Sequence, residues 1–191
     1  MRKVLKLSLF LLIVASIAGF SISYVNGITD PLIEQQNAEK KQSSFNDVYP
    51  GADDVKDESK KYITNDSDEV VKEVNIAYKS NIPVGVIYTV KPNGYNGKIE
   101  MLVGFDINSK KITAIKILSQ SETPGLGANS KESFFSDRFK GLNAESSIEI
   151  VKKESVQDNE VLAITAATIT SKAVASGVNV ARQHFISNFA K

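Results

Sequence analysis

Two short segments of this 191-residue chain combine residue types that could hold a ligand. The first is SETPGLGANS at 121–130, set between a strand-like and a helix-like stretch. Pro124 stiffens it, while Gly125 and Gly127 permit positive φ and let a flat molecule approach the backbone beside Glu122, Thr123 and Leu126. Taken by itself, the segment reads first as a tight turn. Its GxG lacks the third glycine and the βαβ setting of a dinucleotide fingerprint, and no GxxxxGK phosphate loop occurs anywhere. The second segment is AITAATITSKAV at 163–174, where Thr165, Thr168, Thr170 and Ser171 are interspersed with Ala166, Ala167 and Ile169. Small side chains admit a ligand to the backbone, and a helix starting here would offer free N–H groups to an anion. The same residues also serve as ordinary helix caps.

Composition narrows the chemistry. There is no Cys, which excludes thiolate metal sites, iron–sulfur clusters, thiol catalysis and disulfides. The single His184 cannot build a multi-histidine metal centre, so no metal site is expected. Lys plus Arg number 23 against 22 acidic residues, and a net charge of +1 gives no field for gripping nucleic acid. With 42% hydrophobic and 24% charged residues, the chain is globular rather than disordered. Redox chemistry here must therefore use an organic cofactor.

The elements that position the two segments follow from periodicity. Residues 69–79 and 83–91 are rich in β-branched and aromatic types. Ile99, Met101, Val103 and Phe105 alternate as a half-buried strand does, and 106–111 makes a hairpin into a strand at 111–118. Asn93-Gly94 and Asn96-Gly97 bracket Tyr95 as turn chemistry. A helix over 129–139 is expected to turn Phe134, Phe135 and Phe139 inward, with a further strand at 147–153. A last helix over 170–189 repeats Val174, Val178, Ala181, Phe185 and Phe189 on one face. The pattern predicts an α+β domain of antiparallel strands with packed helices, not a parallel βαβ sheet.

Ahead of this domain, Arg2, Lys3 and Lys6 precede an uncharged run from Leu7 to Ile28. A bilayer core takes about 20 helical residues, so the run reads as a single-pass anchor, against the competing reading of a cleaved signal peptide with Ser16 and Ala18 at the small-residue positions. The basic flank places the N-terminus in the cytoplasm and the remainder on the outer face of the cell membrane. No charged residue lies within the run to carry an ion. Asp30-Pro31 reads as the start of a second helix to about Lys41, and the polar stretch after it as a connector. The expected organisation is an anchor at 1–28, a helix and loop-rich connector at 29–68, and the domain at 69–191.

The apolar run, GYNGKIEMLVGFD (94–106), ETPGLG (122–127) and TAATITS (165–171) together resemble the FMN-binding domain family. Within it the chain looks most like the G subunits of Rnf electron-transport complexes, with the C subunits of sodium-pumping NADH:quinone reductases as near kin. The resemblance implies FMN joined by a phosphoester to the last Thr of an Asp-x-x-Ser/Thr-Gly-Ala-Thr pattern. Here that residue is Thr168, with Thr165 in the Ser/Thr position and Ala167 in the Ala position. Ala166, Ile169, Thr170, Ser171, Glu122, Thr123, Gly125, Leu126 and Gly127 are the other implied FMN-binding residues. Two positions depart from the pattern: Leu162 stands where the family has Asp, and Ala166 where it has Gly. By the same resemblance the chain is an electron-carrying subunit of an ion-translocating ferredoxin:NAD⁺ oxidoreductase, without turnover of its own. Its implied partners are the other Rnf subunits, a flavin transferase for maturation, and the membrane. A C-type quinone-reductase subunit and a non-redox exported binding or scaffold module are the competing readings.

Overall fold

The computed structural model describes residues 2–63, 70–152 and 158–190. Its first element is one long helix, α1 (Arg2–Val48). The chain divides into two compact units, Met1–Lys41 and Gln42–Lys191. In the first, every large apolar side chain from Val4 to Ile33 is 48–74% exposed. A helix apolar on all sides with no protein cover belongs in hydrocarbon, and this one is long and apolar enough to cross a membrane. Pro31 lies inside α1 and does not start a new helix as expected. Asp30 is not an N-cap there; it accepts a hydrogen bond from the Asn26 side chain, one turn earlier, at 2.9 Å.

The second unit is built on a five-stranded antiparallel meander in the order β1-β2-β3-β4-β5. Its strands are β1 (Asp54–Asp57), β2 (Val71–Lys79), β3 (Ile82–Val90), β4 (Glu100–Asp106) and β5 (Lys111–Ser119). A helical turn, α2 (Ser59–Tyr62), follows β1. After β5 come a 3₁₀ turn at Gly127–Lys131, the short α3 (Ser133–Ser136) and a second 3₁₀ turn at Asp137–Phe139. The short strands β6 (Glu149–Val151) and β7 (Glu160–Leu162) pair in parallel, and α4 (Thr168–Phe189) closes the chain.

The alternation expected over 99–105 is present. Met101, Val103 and Phe105 are buried on one face and join Val86, Tyr88 and Val90 of β3. Against that face pack Val174, Val178, Ala181 and Phe185 of α4, with Phe105 and Phe185 stacked at 4.8 Å. The Tyr88 hydroxyl lies 3.0 Å from His184 Nδ1, and His184 Nε2 lies 3.2 Å from the Tyr62 carbonyl, so the lone histidine tethers α4 to the sheet. The expected helix over 129–139 is instead three short turns. Phe135 and Phe139 enter the core as expected, but Phe134 is 52% exposed. The break moves Phe134 off the buried face that a continuous helix would have given it.

The other sheet face corrects the expected domain boundary. Phe45, Val48 and Tyr49, from a segment read as connector, cover Ala77, Ile87 and Leu102. Their i, i+3, i+4 spacing is a short apolar stripe among polar residues. The compact unit thus starts at Gln42 and takes in edge strand β1, not at Glu69, which itself lies outside the described residues. A Cβ on Gly85 would fall 2.1 Å from the Tyr49 ring, and one on Gly104 would fall 2.6 Å from Val48 Cγ1. Thr113 Oγ1 donates to the Val48 carbonyl at 2.6 Å, closing the end of α1. The Tyr49 hydroxyl donates to Asp106 Oδ2 at 2.7 Å and is 2.9 Å from the Val84 carbonyl.

Burial alone would raise the Asp106 carboxyl. Hydrogen bonds from the Ser109 backbone, the Tyr49 and Ser109 hydroxyls and the Asn108 backbone outweigh it and hold the group below its ordinary value. A depressed carboxyl stabilises the fold above its unfolded value, about 3.9, and loses that stabilisation as acid carries the pH down through the folded value. Thermal unfolding of the detergent-solubilised chain should therefore show a Tm that falls below about pH 4, and Asp106→Asn should flatten that fall. Tyr49→Phe should cost about 1.5–3 kcal/mol, the worth of a hydrogen bond to a charged acceptor.

Candidate functional site

The two segments singled out from the sequence come together beside the β5 end of the sheet. Glu122 follows β5 and is only 5% exposed. A buried carboxyl must find partners, and this one finds them on two other parts of the chain. Its Oε1 accepts the Tyr95 and Asn96 N–H groups, each at 2.9 Å, and its Oε2 accepts the Thr170 hydroxyl at 2.5 Å. Space around it is set by two glycines. A Cβ on Gly94 would lie 2.5 Å from Oε1, and one on Gly127 would lie 2.6 Å from Oε2 and 2.5 Å from Thr170 Oγ1. Any side chain at either position would displace the carboxyl.

The turn that follows is closed on itself. The Leu126 and Ala128 N–H groups donate to the Thr123 carbonyl, each at 3.1 Å, and the Asn129 side chain donates to the Gly125 carbonyl at 3.0 Å. Gly125 takes φ +75, with no atom near a would-be Cβ, so backbone conformation and not space requires glycine there. Leu126 is left 40% exposed at the tip.

The threonine segment is a second tight construction. Ser171, fully buried, donates its hydroxyl to the Ala167 carbonyl at 2.9 Å and accepts the Ile164 N–H at 2.9 Å. The Ala167 N–H donates to the Ile164 carbonyl at 3.0 Å. Within this closed loop Ala166 sits at φ +60, a conformation costing a non-glycine residue about 1–2 kcal/mol. The N-cap of α4 is Ala167, which has no side-chain oxygen, so no side chain caps the first turn. Those N–H groups stay available to an outside acceptor. Thr168 opens the helix half-buried, Ile169 is 58% exposed, and Thr170 is turned in to Glu122.

Between the two constructions lies a cavity of about 480 Å³, within the range of small-molecule sites, about 300–1,000 Å³. Of the residues singled out from sequence, Glu122, Thr123, Leu126, Gly127, Ala166, Ala167, Thr168, Ile169 and Thr170 line it. Gly125 shapes the turn from outside the lining, and Ser171 lies beneath it. Thr165 lines a second cavity behind the segment, of about 420 Å³, which shares Ala166 and Thr168 and includes Lys152 and Leu162. Tyr95 also lines the first cavity and was not among the expected site residues. Its signals in the sequence were its place as a single aromatic between two turn dipeptides and its position in the 94–106 segment that carries the resemblance. A larger cavity, about 690 Å³, opens near Arg138 and Asn159 and is lined by no residue of either segment. Among the described residues no group of three or more His, Cys, Asp or Glu could hold a metal.

The FMN-binding domain model matches residues 94–183, a span that begins at the Glu122-bound loop and runs through most of α4. The G subunit of the Na⁺-translocating ferredoxin:NAD⁺ oxidoreductase complex of Acetobacterium woodii is 36% identical, over 95% of this chain and 91% of its own. The G subunit of the proton-translocating complex of Clostridium ljungdahlii is 33% identical, over 90% and 85%. Among solved structures, the C subunit of the Na⁺-translocating NADH-quinone reductase from Parabacteroides distasonis aligns with a TM-score of 0.54 and 26% identity, covering 62% of this chain and 63% of that one. Shewanella oneidensis NqrC gives the same TM-score at 16% identity, over 69% and 73%, and shares the fold. With a relative 36% identical over 95% of its length, the chain belongs to the family of G subunits of ion-translocating ferredoxin:NAD⁺ oxidoreductase complexes, built on an FMN-binding domain.

Proposed function

We propose that this chain is the electron-carrying G subunit of an Rnf-type ferredoxin:NAD⁺ oxidoreductase in the cell membrane, with FMN covalently joined to Thr168. The observation that carries the reading is the single cavity formed by the TPGLG turn and the uncapped start of α4. Its residues fit a planar group bearing a phosphate. Leu126, Ile169 and Gly127 offer apolar contact, the first-turn N–H groups and the helix field favour an anion, and Thr168 is part of the lining. The oxygens of Glu122, its one carboxyl, are already taken by Tyr95, Asn96 and Thr170, so the carboxyl does not have to be paired by the ligand. When bound, FMN supplies reversible electron transfer; the protein sets its position and surroundings.

Attachment proceeds on the outer face through a flavin transferase that uses flavin adenine dinucleotide as donor. The Thr168 Oγ1–phosphorus bond forms, the diphosphate bond of the donor breaks, AMP departs, and the hydroxyl proton passes to a base of the transferase. The ester keeps the cofactor where no cytoplasmic pool can replenish it. The other Rnf subunits supply the ferredoxin and NAD⁺ sites, in keeping with a chain that has no Cys. They also supply the ion path. The two relatives named for different ions match this chain to similar extents, and its apolar run carries no charge between Leu7 and Thr29. The competing scaffold reading predicts no flavin at all, which makes the cofactor the decisive measurement.

The intact protein, co-expressed with its transferase, should be heavier by one FMN minus water, with the label on the peptide containing Thr168. Thr168→Ala should abolish the label, Thr165→Ala should retain it, and a labelled Thr168→Ala protein would refute the assignment. Ala166→Gly should leave labelling at least as high. It should also raise stability by about 0.5–1 kcal/mol, the left-handed strain removed less the entropy that glycine adds to the unfolded chain. With Arg2, Lys3 and Lys6 inside, protease added to right-side-out cells should digest Gln42–Lys191 and leave an anchored stub. Digestion only after inversion would reverse the topology.

A further inference from the structure

We infer that Tyr95 is the aromatic wall of the flavin site and that Glu122 is the positioning residue that holds it there; the inference rests on the placement of FMN in the cavity proposed above. Tyr95 lines that cavity, yet its side chain is 67% exposed. Its backbone, by contrast, is fixed from several sides. The Gly94 N–H donates to the Gly97 carbonyl at 2.7 Å, Asn93 and Lys98 form an isolated antiparallel bridge, and the Asn96 side chain donates to the Ser121 carbonyl at 2.8 Å. The Tyr95 and Asn96 N–H groups end on one buried oxygen of Glu122. A loop ordered to this degree has already met the entropy cost of its conformation. It presents a large ring to water beside Leu126 and Ile169, themselves 40% and 58% exposed. Three apolar side chains around one cavity suit a planar aromatic ligand, and an aromatic wall suits it best through offset stacking.

Glu122 acts through the loop and not on the ligand. Its Oε1 sets where Tyr95 stands, and its Oε2 ties the same carboxyl to Thr170 in the first turn of α4. One side chain therefore fixes the distance between the aromatic wall and the segment carrying Thr168. Gln in its place would keep the arrangement, with its carbonyl accepting both N–H groups and its amide donating to Thr170 Oγ1. Asp, one methylene shorter, could not reach both sides.

The test uses the full chain, co-expressed with its transferase, extracted from the membrane and checked by intact mass for bound flavin. A tyrosine in contact with a flavin quenches its emission by transient electron donation to the excited ring, whereas phenylalanine packs equally but is too hard to oxidise. Labelled Tyr95→Phe should thus emit severalfold more brightly than wild type, with unchanged thermal stability and unchanged emission anisotropy. Tyr95→Ala should be equally bright with lower anisotropy, because the ring then moves. Glu122→Ala should match Tyr95→Ala, while Glu122→Gln should stay as dim as wild type. Should Glu122→Ala fail to fold, Glu122→Asp gives the same reading. A labelled Tyr95→Phe as dim as wild type overturns the role of Tyr95. A folded Glu122→Ala or Glu122→Asp that stays dim, or a bright Glu122→Gln, overturns the positioning role. Wild type without flavin mass overturns the placement of FMN itself, and this inference with it.

Discussion

One buried carboxyl organises the site. Taking Glu122 out of water is costly unless each oxygen is matched by donors, and the donors lie 26 to 48 residues away along the chain. Satisfying them forces three segments into one place: the 94–97 loop, the turn that follows β5, and the first turn of α4. The arrangement tolerates no extra atoms, since Gly94 and Gly127 press on the two oxygens from either side. Specificity of this kind comes from the penalty for a wrong answer. A slipped loop would leave a buried acceptor with nothing to accept, which costs about 1–3 kcal/mol and more for a charge.

The carboxyl can only act if α4 is held at a fixed height over the sheet, and three contacts do that. A Cβ on Gly177 would lie 2.6 Å from Met101 Cε, so the helix rests there at closest approach. Farther along, Phe185 stacks on Phe105, and His184 bridges Tyr88 to the Tyr62 carbonyl. With the middle and end of the helix anchored on the core, its start has little freedom left. The uncapped first turn is then a fixed array of donors rather than a fraying end. Burial of Tyr88 pushes its hydroxyl far above the ordinary tyrosine value, so the phenol itself stays protonated.

Much of this is legible in the sequence, for reasons that differ by element. The strands and α4 carry strong periodic signals that tertiary contacts reinforce, and the antiparallel order follows from short connections. Pro124, Gly125 and Gly127 announce a turn because their chemistry is local. What the sequence hides depends on distant contacts. Phe45, Val48 and Tyr49 form a stripe too short to stand out among polar neighbours, and only the facing Gly85 and Gly104 show why they bury. The strand expected at 147–153 is present as the three-residue β6, but β7 is too brief for any alternation to register, and the parallel pairing of the two is non-local. Phe134 looks inward on an ideal helix, and is not, because that helix is broken into turns. Tyr95 reads as part of a turn, but nothing near it in sequence tells that the turn abuts Glu122.

Ala166 shows how far such a scaffold can absorb a departure. At 166, the position that the resemblance matches to the pattern's glycine, an alanine keeps φ +60. It does so because its neighbours leave the backbone no alternative. The Ile164 N–H is bound to Ser171 Oγ, the Ser171 hydroxyl to the Ala167 carbonyl, and the Ala167 N–H to the Ile164 carbonyl. Relaxing Ala166 into an ordinary conformation would break a closed set of hydrogen bonds around a fully buried serine, a larger loss than the strain of one methyl group. The added methyl is also exposed, so it meets no steric penalty beyond its own backbone. Leu162 differs in kind: it sits half-buried in β7, and its carbonyl accepts Arg138 at 2.5 Å through the backbone, which any side chain at that position would preserve. The closed turn leading into Thr168 thus holds with Ala166 and Leu162 in place, through hydrogen bonds that use neither side chain.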